Sequence, residues 1–335
     1  MDGALLHGGT ATAIGSLPHS DAAQAAAFVL RTLPDLPASP QLPRRSAREG
    51  MLAQWLRSLP EIEVANDGTI ALSTTEPVTT APDAHFDRLA HGGLLAFCDL
   101  VAAQPRHPRA IKTQITGPLT LGAELVRLGV HADRAYERAA QCVRAWAYAL
   151  TDLVEQRVPG VGMVVFLDEP ALVQFAADNP PIDTEYASDL LSGCLAAFEG
   201  ATTGVHVCGA GAIDIALAAG PDVVAIDVHT RWLDNAVGLA RFLDSGGFIA
   251  WGAVPTDRPI GEQAGPLWKS LVGLWCELTK RGCDPVRLRQ QAIVTPACGL
   301  ALHGTTQAER ALHLTRELAN RVFDQAAATR LSIGA

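Results

Sequence analysis

Short aliphatic runs alternate along this chain with longer stretches of helical period. The runs are Ala11–Ile14, Thr69–Ser73, Ile111–Ile115, Gly162–Leu167, Gly204–Val207, Asp222–Ile226, Phe248–Trp251 and Ala292–Val294. Between most of them lie Ala-, Leu- and Arg-rich segments such as Asp133–Arg157 and Gln307–Arg321, whose apolar positions recur at helical spacing. Alternating strands and helices predict a parallel sheet, because parallel neighbours need a crossover and a helix supplies it. Eight runs is also the number that closes a TIM (β/α)8 barrel. An α/β barrel is therefore expected, with a doubly wound open sheet as the alternative. Residues 34–110 fit the alternation least. They carry many prolines, the Leu59-Pro60 break and an Asn66-Asp67-Gly68 turn that makes Val64 to Ser73 read as a hairpin. They are expected to decorate an early part of the barrel, within a single domain spanning residues 1–335. No internal repeat or low-complexity linker is visible.

Composition narrows the function classes. Of 335 residues, 48% are hydrophobic and 18% charged, which suits a large core and excludes a disordered chain. The net charge of -9 leaves no electrostatic footprint for nucleic acid or an anionic membrane. The densest basic spot, Pro43-Arg44-Arg45, is too short for a polyanion groove. The longest apolar stretch, Ala212–Ile226, is broken by Asp214, Gly220, Pro221 and Asp222, so no membrane span is expected. Seven scattered cysteines do not make a disulfide scaffold, and Met1 to Gly8 has neither a basic region nor an apolar stretch. A reducing, cytoplasmic setting is expected.

In a barrel the chemistry sits in the loops after the strands. The residues following the runs are Gly15-Ser16, Thr74-Thr75-Glu76, Thr116-Gly117-Pro118, Asp168-Glu169-Pro170, His206-Val207-Cys208, Asp227-Val228-His229, Gly252 to Thr256, and Pro296-Ala297-Cys298-Gly299. Nearly every strand ends in polar or metal-binding chemistry, and the strand interiors do not. His206 and Cys208 stand two apart in a strand, so both side chains aim at one point. Imidazole and thiolate together are zinc chemistry. Cys298 likewise follows an apolar run. Asp227 ends the run after the His-Cys one, and His229 stands two further on, so either is a candidate fourth ligand. Asp168 is a candidate for holding a substrate ammonium group, although a carboxylate at a strand end also commonly caps a helix. Cys98, Cys142, Cys194, Cys276 and Cys283 read as core or surface fillers. His19, His91 and His303 flank strand-end loops. Gly209-Ala210-Gly211 lacks the third glycine of a dinucleotide loop.

Six motifs, in order, carry a family resemblance: Ile14-Gly15-Ser16-Leu17-Pro18, Thr116-Gly117-Pro118-Leu119-Thr120, Leu167-Asp168-Glu169-Pro170-Ala171-Leu172, His206-Val207-Cys208, Asp222 to Asp227, and Thr295-Pro296-Ala297-Cys298-Gly299-Leu300. The set resembles the catalytic barrel of cobalamin-independent methionine synthase. That barrel belongs to the superfamily shared with uroporphyrinogen decarboxylase and the corrinoid-dependent methyltransferases. The resemblance implies a TIM barrel with zinc on His206, Cys208 and Cys298. Asp227 stands where the family has a glutamate ligand. Asp168 matches the carboxylate that binds the substrate's amino group, and Ile14 and Ser16 match positions that hold its carboxylate. The family's second ammonium-binding glutamate lies in an early loop, where this chain reads Pro43 to Glu49. Its proton-donating histidine falls within Val254-Pro255-Thr256-Asp257, which leaves Asp257 as a candidate catalytic group. The chain is too short to add the family's second, folate-binding barrel.

The leading expectation is zinc-dependent methyl transfer to a small-molecule thiol such as homocysteine. The donor would be a methylcorrinoid protein or a folate. Two alternatives stand beside it. One is a metal-free enzyme like uroporphyrinogen decarboxylase. The other is a zinc- or thiol-binding barrel active only with a methyl-carrying partner protein.

Overall fold

The computed structural model describes residues 5–74 and 78–333. Its centre is a seven-stranded parallel sheet in the order β1-β9-β8-β7-β6-β5-β4. The strands are β1 (Thr10–Ala11), β4 (Ala110–Thr116), β5 (Gly162–Asp168), β6 (Thr202–His206), β7 (Val223–Asp227), β8 (Phe248–Val254) and β9 (Ala292–Pro296). The first strand pairs with the last, Thr10 with Ile293 and Ala11 with Val294, so the sheet curls round on itself. Helices cover its outer face, including Pro118–Arg127, Ala132–Arg157 and Thr305–Ile333. Strands buried on both faces are continuously apolar, which is why six of the runs in the sequence coincide with β4 to β9.

The two edges of the sheet are β1 and β4. An irregular segment, residues 37–41, lies between them and bonds to β4 and to the residues that follow β1. Lys112 N–H donates to Pro37 O at 2.9 Å and Ser39 N–H to Lys112 O at 2.8 Å. On the other side Gln41 N–H donates to Gly15 O at 3.0 Å and Leu17 N–H to Gln41 O at 2.9 Å. Pro37 and Pro40 have no N–H to offer, so the segment cannot form a regular ladder.

Thr69–Ser73, expected as one of the eight staves, is not part of this sheet. It falls in a separate antiparallel hairpin of β2 (Ile62–Val64) and β3 (Ile70–Leu72). The turn decides this. Gly68 adopts φ +82°, and Asp67 accepts the Thr69 N–H at 3.0 Å, which folds the chain straight back on itself. Thr75 and Glu76 lie outside the described residues.

Side chains alternate along each strand, so residues of one parity face the interior. Ala110, Val164, Phe166, Val223, Ala225, Ala250 and Ile293 pack there as a small inner core. The next inward position on β5 above Phe166 is Asp168. A much larger apolar layer separates the sheet from the helices. No helix among the described residues is long and apolar enough to cross a membrane.

Candidate metal centre

The interior pattern delivers chemistry at the carboxyl ends of the strands. Asp168 and His206 are register partners on β5 and β6. Cys208 lies two residues beyond His206, and Cys298 two residues beyond the end of β9. The ligand atoms of His206, Cys208 and Cys298 all lie within 4.8 Å of one another. The two sulfurs are 3.7 Å apart. His206 is buried, and neither ring nitrogen has a hydrogen-bond partner. Oδ1 of Asp168 is buried without a partner as well. An unsatisfied buried polar atom costs about 1–3 kcal/mol, so several aimed at one space call for a ligand.

That space is a cavity of about 350 Å³, and Ile14, Ser16, Asp168, His206, Cys208 and Cys298 all line it. Burial and mutual contact set the charges in it. The Cys208 thiol, and after it His206, pull Cys298 down to about 4 against its own burial. Cys208 keeps the shared proton and is pushed up, by Cys298 first and then by burial. Burial opposes the His206 imidazolium, yet Cys298 and Asp168 outweigh it and raise its pKa. Burial pushes the Asp168 carboxyl up, with Lys112 and His206 pulling against it. One thiolate, one thiol and an imidazole in this compactness fit a metal ion, which would displace the protons they share.

Three expected residues are not brought to this group. Asp227 is held by Arg231, whose Nη1 is 2.7 Å from both carboxylate oxygens, and by Trp232 Nε1 at 2.9 Å. The short helical turn Thr230–Leu233 carries both partners back onto it. His229 caps that same turn, its Nδ1 accepting the Arg231 N–H at 3.0 Å. Asp257 is exposed in the loop after β8 and does not line the cavity.

The Asp168-Glu169 pair divides its labour. Asp168 faces the cavity, while Glu169 turns away and caps the helix Pro118–Arg127. It accepts the Leu119 and Thr120 N–H groups, each at 2.8 Å, and the Thr120 hydroxyl at 2.6 Å. Burial pushes Glu169 up to about 7 despite those donors. A side chain at Gly117 would collide with that carboxylate, which accounts for the glycine in Thr116-Gly117-Pro118. In the early loop Glu49 is also engaged, by Gly93 N–H at 2.6 Å and Arg45 Nε at 2.9 Å.

Sequence reasoning missed four groups at the site. Gln41, Met51 and Leu302 line the cavity. Lys112 is fully buried beneath it, and burial lowers its ammonium to about 8. A signal for Lys112 was present: Lys112, Gln114 and Thr116 alternate within an otherwise strand-like run.

No family model matches the chain, and no curated protein matches it in sequence. Among solved structures it is similar to a methyltransferase from Methanosarcina mazei, with a TM-score of 0.53 and 14% identity over 88% of this chain and 84% of that one. At that identity the likeness shows a shared fold.

Proposed function

We propose that this chain is a cytoplasmic, zinc-dependent methyltransferase. It would move a methyl group onto a small thiol of the homocysteine class, giving methionine or a related thioether. The observation that supports this is the convergence of His206, Cys208 and Cys298, with His206 unpartnered, on a cavity that also holds an unpaired Asp168. The methyltransferase with a similar fold adds to it. The same reading takes the fold as a complete (β/α)8 barrel, with residues 37–41 as the stave between β1 and β4.

Two sulfurs and one imidazole suit zinc, and His206, Cys208 and Cys298 would hold it. Zinc bound there would keep a substrate sulfur deprotonated at neutral pH, where a free thiol of pKa about 8.5 holds its proton. Asp227, tied to Arg231, is left out of the set. Asp168 binds the substrate ammonium, and Ser16 and Ile14 seat its carboxylate end. Held at both ends, the sulfur faces the methyl donor in a fixed line. The sulfur lone pair forms the new S–CH3 bond as the donor's bond to the methyl breaks, and that electron pair leaves with the donor. The donor is a methylcorrinoid protein or a methylfolate. Leu302, 94% exposed on the Cys298 loop, offers it an apolar contact at the rim.

Elemental analysis of protein purified without chelator or metal affinity resin tests the reading. About one zinc per chain is expected, and Cys208→Ser should lose zinc and turnover together. Stoichiometric zinc in that variant would sink the ligand set. Turnover of homocysteine with methylcobalamin supports an independent enzyme, and turnover only with an added carrier protein supports the partner-dependent form.

A further inference from the structure

Lys112 is the largest charged side chain fully buried among the described residues, and apart from its pull on the Asp168 carboxyl nothing in the proposed chemistry uses it. It faces inward from β4, and its Nζ lies 4.8 Å from the centroid of the Phe166 ring. Its two acceptors are both neutral: the carbonyl oxygen of Ile14, and Oε1 of Gln114 at 3.0 Å. An apolar residue of the same volume would fill this floor without desolvating a charge. What the ammonium supplies instead is a directional grip on the Ile14 peptide.

The grip extends further. The Gln114 amide that accepts from Lys112 donates its Nε2 to Ser39 O at 3.0 Å. It also packs so closely on Gly15 that a side chain there would collide with it. Gly15 adopts φ +134°, a conformation that suits glycine alone. The turn Ile14-Gly15-Ser16 is therefore held from below by Lys112 and Gln114. That turn in turn holds the last strand's loop. Ser16 O accepts the Leu300 N–H at 2.8 Å, and a side chain at Gly299 would collide with Ser16 Oγ. Cys298 immediately precedes these two contacts.

We propose that Lys112 is a positioning residue for the metal centre: by pinning the Ile14 carbonyl it fixes the Gly15–Ser16 turn, and the turn fixes the loop that presents Cys298. The inference rests on the zinc reading above. Lys112 touches neither metal nor substrate. Its action runs through two loops that belong to the first and last strands.

The test is zinc affinity, measured by competition with a chromogenic chelator, in wild type, Lys112→Met and Gln114→Leu. Outer contacts that orient a metal ligand typically change affinity 10- to 100-fold. Lys112→Met should bind zinc at least about tenfold more weakly and weaken the thiolate-to-metal absorption of the cobalt(II)-substituted protein. Gln114→Leu should show a smaller loss in the same direction. A role confined to stability would lower the melting temperatures of zinc-free and zinc-loaded protein alike and leave the affinity unchanged. Unchanged affinity in folded Lys112→Met overturns the inference. Should that variant fail to fold, unchanged affinity in Gln114→Leu overturns it equally. Wild type that takes up no zinc overturns the functional reading itself, whereas zinc-binding wild type with unaffected variants overturns this inference alone.

Discussion

Two clusters of buried polar side chains flank this curled sheet, and they are built on opposite principles. The first lies in the early segment. Arg138 grips Glu61 with two hydrogen bonds, at 2.7 and 3.0 Å, and adds the Thr80 carbonyl at 2.7 Å. Arg45 and the Gly93 N–H satisfy Glu49. The second lies at the strand ends, where His206 and Asp168 hold buried atoms with no partner. His91 shows that one orphaned nitrogen is not enough to mark a site. Its Nε2 is unpartnered too, but it is packed among the rings of Trp55, Phe86 and Trp146, away from the cavity that holds His206 and Asp168. Burial first, and then the nearby Arg57 charge, drive that ring down to about 3, so it stays neutral. A site is marked by several unsatisfied groups that converge on one space.

The comparison can be broken in three ways. The largest effect should come from the strand-end cluster when its ligand arrives. Zinc at about 1,000 times its dissociation constant should raise unfolding stability by about 4 kcal/mol, and a chelator should remove the gain. Urea titration with and without zinc checks this, and Cys208→Ser should show no difference between the two curves. Next is Arg138→Ala, on the helix Ala132–Arg157 that holds Glu61 of the early segment. It leaves Glu61 buried and unpaired and should cost about 3 kcal/mol, equally in zinc-free and zinc-loaded protein. A loss that depended on zinc would mean that the two clusters are coupled.

The smallest effect concerns pH. In zinc-free protein, burial places the native Asp168 carboxyl above its ordinary value of 3.8. As pH rises through the window between the two, the unfolded chain gives up its proton first. The native state then binds more protons, so stability falls with rising pH. Asp168→Asn removes this contribution. The stability difference between variant and wild type should therefore grow in the variant's favour from pH 4 upward. A flat difference would show that the carboxylate is as well solvated as an ordinary one.

The sequence disclosed these regions unevenly. Strands β4 to β9 were legible because a parallel strand buried on both faces is written as an apolar run. Residues 37–41 were not, because Pro37 and Pro40 replace the ladder with a few scattered backbone bonds that leave no periodic trace. The spacing of His206 and Cys208 was legible, since parity along a strand is a local property. The fate of Asp227 was not. It depends on a tight turn that returns Arg231 to it, and turn geometry is not written in strand parity. The alternation of Lys112, Gln114 and Thr116 was legible, but the burial of Lys112 was not. A lysine in a strand reads as a solvent-facing charge until the neighbouring strands are known to cover it.

The candidate metal-binding set is split along the chain, with Cys208 and Cys298 ninety residues apart. Cys298 comes into place through β9, which pairs with β8 on one side and with β1 on the other, so its position waits on strands from both ends of the chain. During synthesis, which proceeds at about 5–20 residues per second, His206 and Cys208 leave the ribosome seconds before Cys298 does. A two-ligand fragment holds metal weakly. Tight capture of an ion at these three residues would therefore mark a sheet in which β9 has taken its place.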